Sequence, residues 1–374
     1  MPRPAPTFNE ALALVERLDQ KYRPAWDAFS PEEQAALALY FLPHNSARPV
    51  VEPTRPRMLK WYCPFADQAS FPSGHRYCIN VYTGCAHECA YCYAASYSPA
   101  SASPKQGFER LVLKDMEDLK RFGVPPAPIH LSNSTDPFQP LENEYKHTRF
   151  ALEQILQHRQ RFTTVTILTK DPLRSVKLGY VDLFRQLGSL PNVHPRRAAF
   201  DQGNLPGFVV EVSLAFWREE ARRQYDPCAP SIAARKEGLH ALRDAGIPVV
   251  LRIDPLFPPA RSNGSHEDLG LIEPQSRDDL EQLVALAKGL SVRHVVFSAA
   301  KITKPRGQKL SGTMLAVRDI YRACAFPRKL DFHGGSWRLP GSVAQDLIVR
   351  PFLDICTRYA VQAKHCKQNL IGTP

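Results

Sequence analysis

Short β-branched runs alternate with longer amphipathic runs between residues 77 and 324, and this alternation constrains the fold more than any other feature of the sequence. β-branched and aromatic residues favour strands, whereas apolar residues spaced three and four apart favour helices. The predicted strands are Tyr77–Tyr82, Ile129–Ser132, Thr164–Thr169, Phe208–Ser213, Val249–Ile253 and His294–Ser298. The helices predicted to follow them are Lys114–Arg121, Tyr145–His158, Val181–Gln186, Ile232–Ala245, Arg277–Leu290 and Thr313–Cys324.

Six successive strand–helix units predict an α/β fold with a parallel sheet and right-handed crossovers, curled into a partial (β/α)6 barrel of the TIM type. Residues 1–60 are interpreted as a helical N-terminal extension and linker, in which Ser30-Pro31-Glu32-Glu33 forms a capping box that begins a helix. Residues 61–300 are interpreted as the barrel, and residues 301–374 as a C-terminal helical extension.

Polar side chains recur where the predicted strands end. Ligands of parallel sheets bind at the carboxyl ends of the strands, so side chains at several such ends are expected to converge. The residues concerned are Cys85 after the first strand, Ser132 to Pro137 after the second, Thr169 and Lys170 at the third, Ser213 at the fourth, and Arg252 and Asp254 at the fifth. The sequence therefore predicts a binding site at this edge of the sheet.

Three cysteines, Cys85, Cys89 and Cys92, lie within eight residues of the first such loop. A four-iron cluster is normally held by four thiolates, one for each iron. A triplet without a nearby fourth cysteine would leave one iron open to a small molecule that carries an amine and a carboxylate. His87 and Glu88, inside the loop, are expected to be exposed spacers.

Other uses of these cysteines fit less well. Structural zinc usually takes its ligands from two separated pairs, and the chain has no second C-x2-C pair. A plant-type ferredoxin triplet has a longer first gap. Nine cysteines are an odd number for a disulfide framework, and the apolar run from Ala11 to Leu18 is interrupted by Glu16 and Arg17, so no signal peptide is predicted. We expect a cytoplasmic protein.

The composition permits a polyanionic partner without requiring one. The net charge is +11 over 374 residues, and basic residues are concentrated at Lys301, Lys304, Arg306 and Lys309. No window approaches the roughly 18 apolar residues of a membrane span, so no membrane association is expected.

The motifs resemble those of the radical S-adenosylmethionine (radical SAM) superfamily, and in particular its spore photoproduct lyase-like branch. The resemblance is carried by Thr-Gly-Cys-Ala-His-Glu-Cys-Ala-Tyr-Cys-Tyr, by Ser-Thr-Asp-Pro-Phe-Gln-Pro-Leu-Glu (Ser134 to Glu142) and by Ile-Leu-Thr-Lys (Ile167 to Lys170). A further block comprises Val212-Ser213, Asp226-Pro227 with Arg235, and Ala245-Gly246-Ile247-Pro248. The resemblance as a whole covers about residues 77–260 and implies a barrel of the radical SAM kind.

The resemblance implies a [4Fe-4S] cluster on the three cysteines, S-adenosylmethionine (SAM) as cosubstrate and an external electron donor of the flavodoxin or ferredoxin type. Ser134, Lys170 and Ser213 are the positions expected to engage the amino-acid end of SAM, and Tyr91 and Arg252 are further candidates for cofactor binding.

One position departs from the pattern of photoproduct lyases. Those enzymes carry a hydrogen-donating cysteine in the second-strand loop, where this chain has Asn133. Cys228 is a candidate substitute, and Tyr93 or Tyr82 could carry a radical. Cys63, Cys78, Cys324, Cys356 and Cys366 could bind a second cluster or remain as buried thiols.

Three functions stay open at this point. The first is a radical SAM lyase or repair enzyme that acts on nucleic acid. The second is a radical SAM enzyme that modifies a peptide, protein or small metabolite. The third is a non-enzymatic, metal-stabilised nucleic-acid-binding protein. The sequence does not identify a substrate or an oligomeric state.

Overall fold

The computed structural model of this chain describes residues 29–36, 56–61, 76–99, 101–189, 207–259, 266–333 and 335–366. Its strands are β1 (Leu59–Trp61), β2 (Tyr77–Ile79), β3 (Tyr82–Thr83), β4 (Ser103–Pro104), β5 (Ala127–Leu131), β6 (Phe162–Thr169), β7 (Phe208–Ser213), β8 (Val249–Leu256), β9 (Val295–Ala299), β10 (Ile302–Thr303), β11 (Asp331–His333), β12 (Ser336–Arg338) and β13 (Ala363–His365).

The helices surround the main sheet. They are α1 (Phe108–Arg121), α2 (Glu142–Tyr145), α3 (His147–Gln157), α4 (Pro172–Lys177), α5 (Val181–Ser189), α6 (Glu219–Tyr225), α7 (Ile232–Asp244), α8 (Arg277–Gly289), α9 (Gly312–Ala325), α10 (Gly341–Ala344) and α11 (Arg350–Arg358). Several begin at serine caps, namely Ser231, Ser276 and Ser311. The capping box predicted at Ser30 is confirmed. The Ser30 hydroxyl accepts from the Glu33 amide at 3.3 Å and the Glu33 carboxylate accepts from the Ser30 amide at 3.0 Å, which opens the helix at 31–36.

The main sheet has the order β1-β2-β5-β6-β7-β8-β9-β13. All neighbours from β2 to β13 are parallel, and only β1 pairs antiparallel, with β2. The predicted mostly parallel α/β fold is therefore confirmed. Within the described residues β1 and β13 remain edges, so the sheet is open and does not close into a barrel.

The main departures from the predicted elements lie at the two ends of the sheet. The predicted strand Tyr77–Tyr82 divides in two, because β3 leaves the main sheet and pairs with β4. β13 was not predicted; it is three residues long, contains no β-branched residue and gains its place by pairing with β9. β10, β12 and β11 form a separate small sheet. The division into segments 1–60, 61–300 and 301–374 stays a prediction.

The inner face of the sheet changes character along the strands. Because side chains alternate between the two faces, every second residue of β7 and β8 points to the same side. Val209, Val250 and Val296, near the amino ends of their strands, form a small apolar cluster with Cys366. Two residues further along, Glu211 and Arg252 form a buried ion pair of 2.7 Å, and polar groups follow at the carboxyl end. The inner face is therefore apolar near the amino ends of these strands and polar near their carboxyl ends.

The helices cover the outer face with one contiguous hydrophobic core. Leu239 and Leu242 of α7 and Leu283 of α8 are fully buried there. No helix in the described part of the chain is both long and apolar enough to cross a membrane.

Candidate active site

The cysteine loop begins immediately after β3 and depends on two left-handed residues. Gly84 has φ +68°, and a Cβ at this position would lie 2.2 Å from the Ser101 carbonyl oxygen. Only glycine meets both conditions. Glu88, also left-handed at φ 50°, precedes Cys89, and the Cys92 amide donates to the Cys89 carbonyl at 3.0 Å. These turns bring Cys85, Cys89 and Cys92 to the same cavity, although the first and the last are seven residues apart in sequence.

Neighbouring loops hold the cysteine loop on two sides. The Ala86 amide donates to the Gln139 side chain at 2.8 Å, and the Ala90 amide donates to the Tyr225 carbonyl at 2.9 Å. The first contact joins it to the loop after β5, and the second joins it to the end of α6. The loop is therefore fixed by backbone hydrogen bonds that do not involve its thiols.

Cys85, Cys89 and Cys92 line one cavity of about 390 Å³ at the carboxyl edge of the sheet. Burial raises the pKa of Cys85 to about 12 and that of Cys89 well above the ordinary thiol value, so cluster binding has to displace protons. No three Cys, His, Asp or Glu side chains of the described residues converge on a single ion. A lone tetrahedral zinc takes four protein ligands, whereas in a four-iron cluster each thiolate binds a different iron.

The loop after β5 lies beside the cysteines. Ser132 adopts a left-handed conformation at φ 66°, and its hydroxyl is buried without a hydrogen-bond partner among the described residues. Asn133 donates from Nδ2 to the Cys78 sulfur at 3.1 Å, and its carbonyl accepts from the Tyr93 hydroxyl. The Ser134 hydroxyl lies 2.8 Å from that of Tyr97. Strained backbone of this kind is common at functional sites.

Asp136 joins the first three motifs of the site. Its carboxylate accepts from the Thr169 hydroxyl at 2.8 Å and from the Lys170 amide at 2.6 Å, and it lies 3.1 Å from Nε2 of His87. Although burial opposes its charged form, His87 and the amide donors lower the pKa of Asp136. His87 is 2% exposed, so the expectation of an exposed spacer is wrong for His87 and confirmed for Glu88. His87 is buried because its ring packs within 3.1 Å of the buried Asp136 carboxylate.

A buried network surrounds Asp226. Its carboxylate accepts from the Tyr91 hydroxyl at 2.6 Å, from Lys170 Nζ at 3.1 Å and from Arg235 at 3.1 Å. Lys170 also donates to the Tyr91 hydroxyl at 2.8 Å and to the Ser213 hydroxyl at 3.2 Å. Burial disfavours the charged forms, yet the mutual attraction raises the pKa of Lys170 and lowers that of Asp226. The network ties the cysteine loop to the ends of β6 and β7.

Arg252 forms part of the cavity wall, and its single positive charge is compensated by two carboxylates. Its guanidinium donates to Glu211 at 2.7 Å, to Asp254 at 2.7 Å and to the Cys366 sulfur at 3.1 Å. Asp254 accepts a further hydrogen bond from the Ser298 hydroxyl at 2.5 Å. The buried Arg252 is thereby fixed in orientation.

The structure brings almost all of the predicted site residues together. The cavity is lined by Cys85, Cys89, Tyr91, Cys92, Tyr93, Ser134, Lys170, Ser213 and Arg252. Cys228 is not among them. It is exposed, and its sulfur lies 3.4 Å from the Glu88 carboxylate, on a second cavity of about 410 Å³ behind the cysteine loop. Tyr82 is buried against Glu142 and does not reach the cavity either.

The remaining cysteines follow two patterns. Cys324 and Cys356 are buried in the hydrophobic core, and Cys78 is buried beside Asn133. Cys366 lines the cavity. Cys63 lies outside the described residues.

Sequence reasoning missed one wall of the cavity. It is supplied by residues far along the chain, namely Lys301, Arg338, Leu339, Ala344, His365 and Cys366. Of these residues, only Lys301, which begins a basic run, and Cys366 are singled out in the sequence, and neither is assigned there to this cavity.

The chain has relatives in sequence among known proteins. No family model matches the chain. An uncharacterized protein of Methanocaldococcus jannaschii is 26% identical over 185 residues, which are 50% of this chain and 62% of that protein. An uncharacterized protein of Mycobacterium tuberculosis is 26% identical over 201 residues, or 52% and 53% of the two chains. The matches therefore span about half to three-fifths of these relatives.

Two solved structures of spore photoproduct lyase are similar over most of the chain. A variant of that enzyme matches with a TM-score of 0.50 and 13% identity, covering 86% of this chain and 87% of the other. The enzyme complexed with dinucleoside spore photoproduct matches with a TM-score of 0.50 and 13% identity, covering 83% and 79%. The chain therefore shares its fold with spore photoproduct lyase.

Proposed function

We propose that this chain is a radical SAM enzyme that holds a [4Fe-4S] cluster on Cys85, Cys89 and Cys92. Bound SAM would accept one electron from an external donor of the flavodoxin or ferredoxin type by way of the cluster, and its sulfur–C5′ bond would break to give methionine and a 5′-deoxyadenosyl radical that abstracts hydrogen from the substrate. The observation that carries this proposal is the convergence of the three thiols and four strand-end groups on one cavity.

The residues around the cavity have complementary tasks. Ser134 and Ser213 offer hydroxyls to an ammonium group. Lys170 donates to Tyr91, Ser213 and Asp226 here and would give up one of these bonds to a carboxylate. The Asp226 network holds Lys170 and Tyr91 in place, because each makes at least two hydrogen bonds within it. Burial and the Asp226 carboxylate raise the pKa of Tyr91, so its phenol stays protonated and donates. A rigid, partly enclosed cavity would also shield a radical from water.

Nucleic acid is one candidate substrate class, and a peptide, protein or metabolite is the other. The fold shared with an enzyme that was complexed with a dinucleoside photoproduct and the net charge of +11 favour the first. Asn133 favours the second: it lines the cavity where photoproduct lyases carry a thiol, and an amide N–H is too strong a bond to quench a carbon radical. Lyase activity is therefore not part of the proposal.

Anaerobic reconstitution with iron and sulfide tests the proposal. We expect one four-iron cluster per chain, lost in each of the variants Cys85→Ala, Cys89→Ala and Cys92→Ala. Cys228→Ala is the matched control, because this exposed thiol lies outside the cavity and should not affect iron content. Full iron content in Cys89→Ala would contradict the cluster assignment, and zinc in place of iron would favour the non-enzymatic alternative.

A further inference from the structure

Arg338 differs from Lys170 and Arg252, two other cations that line the cavity, in its ion pairing. Lys170 is paired with Asp226, and Arg252 is paired with both Glu211 and Asp254. Arg338, the last residue of β12, also lines the cavity but forms no ion pair with any carboxylate of the described residues. The cavity therefore contains one guanidinium whose charge is not balanced by the part of the protein that the structure describes.

The Arg338 side chain is half-buried, and its Nε is buried without a hydrogen-bond partner in the described part of the chain. Asp331 stands directly opposite on β11 but does not approach to ion-pair distance. A buried donor on a charged group costs free energy unless something accepts from it. An acceptor brought by a ligand would remove that cost.

The surroundings of this wall are also basic. Lys301 lines the cavity, and Lys304, Arg306 and Lys309 are exposed on the segment that follows it. The Arg306 amide donates to the Ala95 carbonyl at 2.9 Å, which places this segment against the turn after the cysteine loop. The sequence contains no acidic residue between 300 and 318, so positive charge borders the cavity on this side.

We infer that Arg338 is the centre of a subsite for an acidic group of the substrate, a phosphate or a carboxylate. Guanidinium binds both of these planar or tetrahedral anions through two parallel hydrogen bonds. The inference rests on the proposed function, since it assumes that the cavity binds a substrate. It adds that the substrate is an anion, with the acidic group held on the wall formed by β12 and away from the Asp226 network.

Anion binding to the full chain, measured without iron, tests the subsite separately from the cluster. The probe is inorganic phosphate, followed by phosphorus NMR line broadening, and acetate is then added as a competitor. We expect phosphate to bind saturably, and the acetate titration then shows whether a carboxylate displaces it. The affinity for phosphate should fall roughly tenfold to a hundredfold in Arg338→Gln. Arg338→Lys keeps the charge but loses the two parallel hydrogen bonds, so its affinity should lie between those of the native protein and Arg338→Gln, provided that circular dichroism shows a folded protein.

Arg322→Ala is the matched control. It removes the same charge from α9, where Arg322 is exposed and paired with Asp319, and it should leave anion binding unchanged. Selective binding of phosphate would identify a phosphate-bearing substrate, and equal competition by acetate would admit a carboxylate as well as a phosphate; both support the subsite. Absence of saturable binding, or binding that Arg338→Gln does not weaken, would overturn it. Failure of cluster assembly would instead contradict the proposed function.

Discussion

The Asp226→Asn substitution keeps the shape of a fully buried side chain and removes its charge. In the native protein this carboxylate accepts hydrogen bonds from Lys170, Arg235 and Tyr91, and both Asp226 and Arg235 are completely shielded from solvent. An amide at this position can still accept one or two of these bonds. It cannot balance two buried cations, so the change isolates the electrostatic part of the network.

The expected loss of unfolding free energy is about 3–5 kcal/mol, the usual result of removing one partner of a buried ion pair. The cost arises because Lys170 and Arg235 would remain buried without a counter-charge. Asp182→Asn is the matched control, since Asp182 is 84% exposed in its pair with Arg185 and such surface pairs contribute about 0–1 kcal/mol.

Urea denaturation of the full chain, followed by circular dichroism, measures both variants. Adding Lys170→Met to Asp226→Asn should restore part of the lost stability, because it removes one of the unbalanced charges. A loss for Asp226→Asn no larger than that for Asp182→Asn would refute the reasoning. No recovery in the double variant would show that shape, and not charge, sets the cost.

Three further predictions concern the cosubstrate, the cysteine loop and pH. Lys170→Met should weaken SAM binding by roughly tenfold to a hundredfold in calorimetric titration while iron content stays near normal. Gly84→Ala should prevent cluster assembly, measured as bound iron, whereas Gly246→Ala, with φ +74° but no atom near its Cβ, should cost only about 1 kcal/mol of stability. Burial opposes the charge of Glu211, but Arg252 holds the pKa of this carboxyl well below its ordinary value. The ionised Glu211 carboxylate therefore contributes to stability above about pH 4.3, and this contribution is lost as pH falls toward the folded-state pKa. Glu211→Gln should remove this pH dependence from the urea midpoints.

The sequence predicts the central strands of the parallel sheet because their composition matches their buried position. β6, β7 and β8 are fully or almost fully buried and, apart from the ion-paired Glu211, Arg252 and Asp254, consist mainly of β-branched and apolar residues. β13 has no such composition and is formed by pairing with β9, which is a tertiary effect. Pattern analysis cannot find a strand of this kind.

The candidate site shows the same contrast. Lys170 and Ser213 are predictable because the ends of neighbouring parallel strands must lie close together. The role of Asp226 in joining them is not predictable, because it follows from the position of a loop after α6 relative to two strands. Cys228 illustrates the converse: its place two residues after Asp226 suggests proximity to the cavity, but its side chain lies on the other side of the cysteine loop. Proximity in sequence gives no side-chain direction in an irregular loop.

The formation of 5′-deoxyadenosine tests the central claim most directly. The anaerobically reconstituted protein is mixed with SAM and a one-electron reductant, and 5′-deoxyadenosine and methionine are quantified by liquid chromatography. Cys228→Ala and Cys89→Ala serve as the intact and the disrupted control. We predict both products in equal amounts from the native protein and from Cys228→Ala, and none from Cys89→Ala. A fully iron-loaded native protein that forms no more 5′-deoxyadenosine than Cys89→Ala would contradict the account.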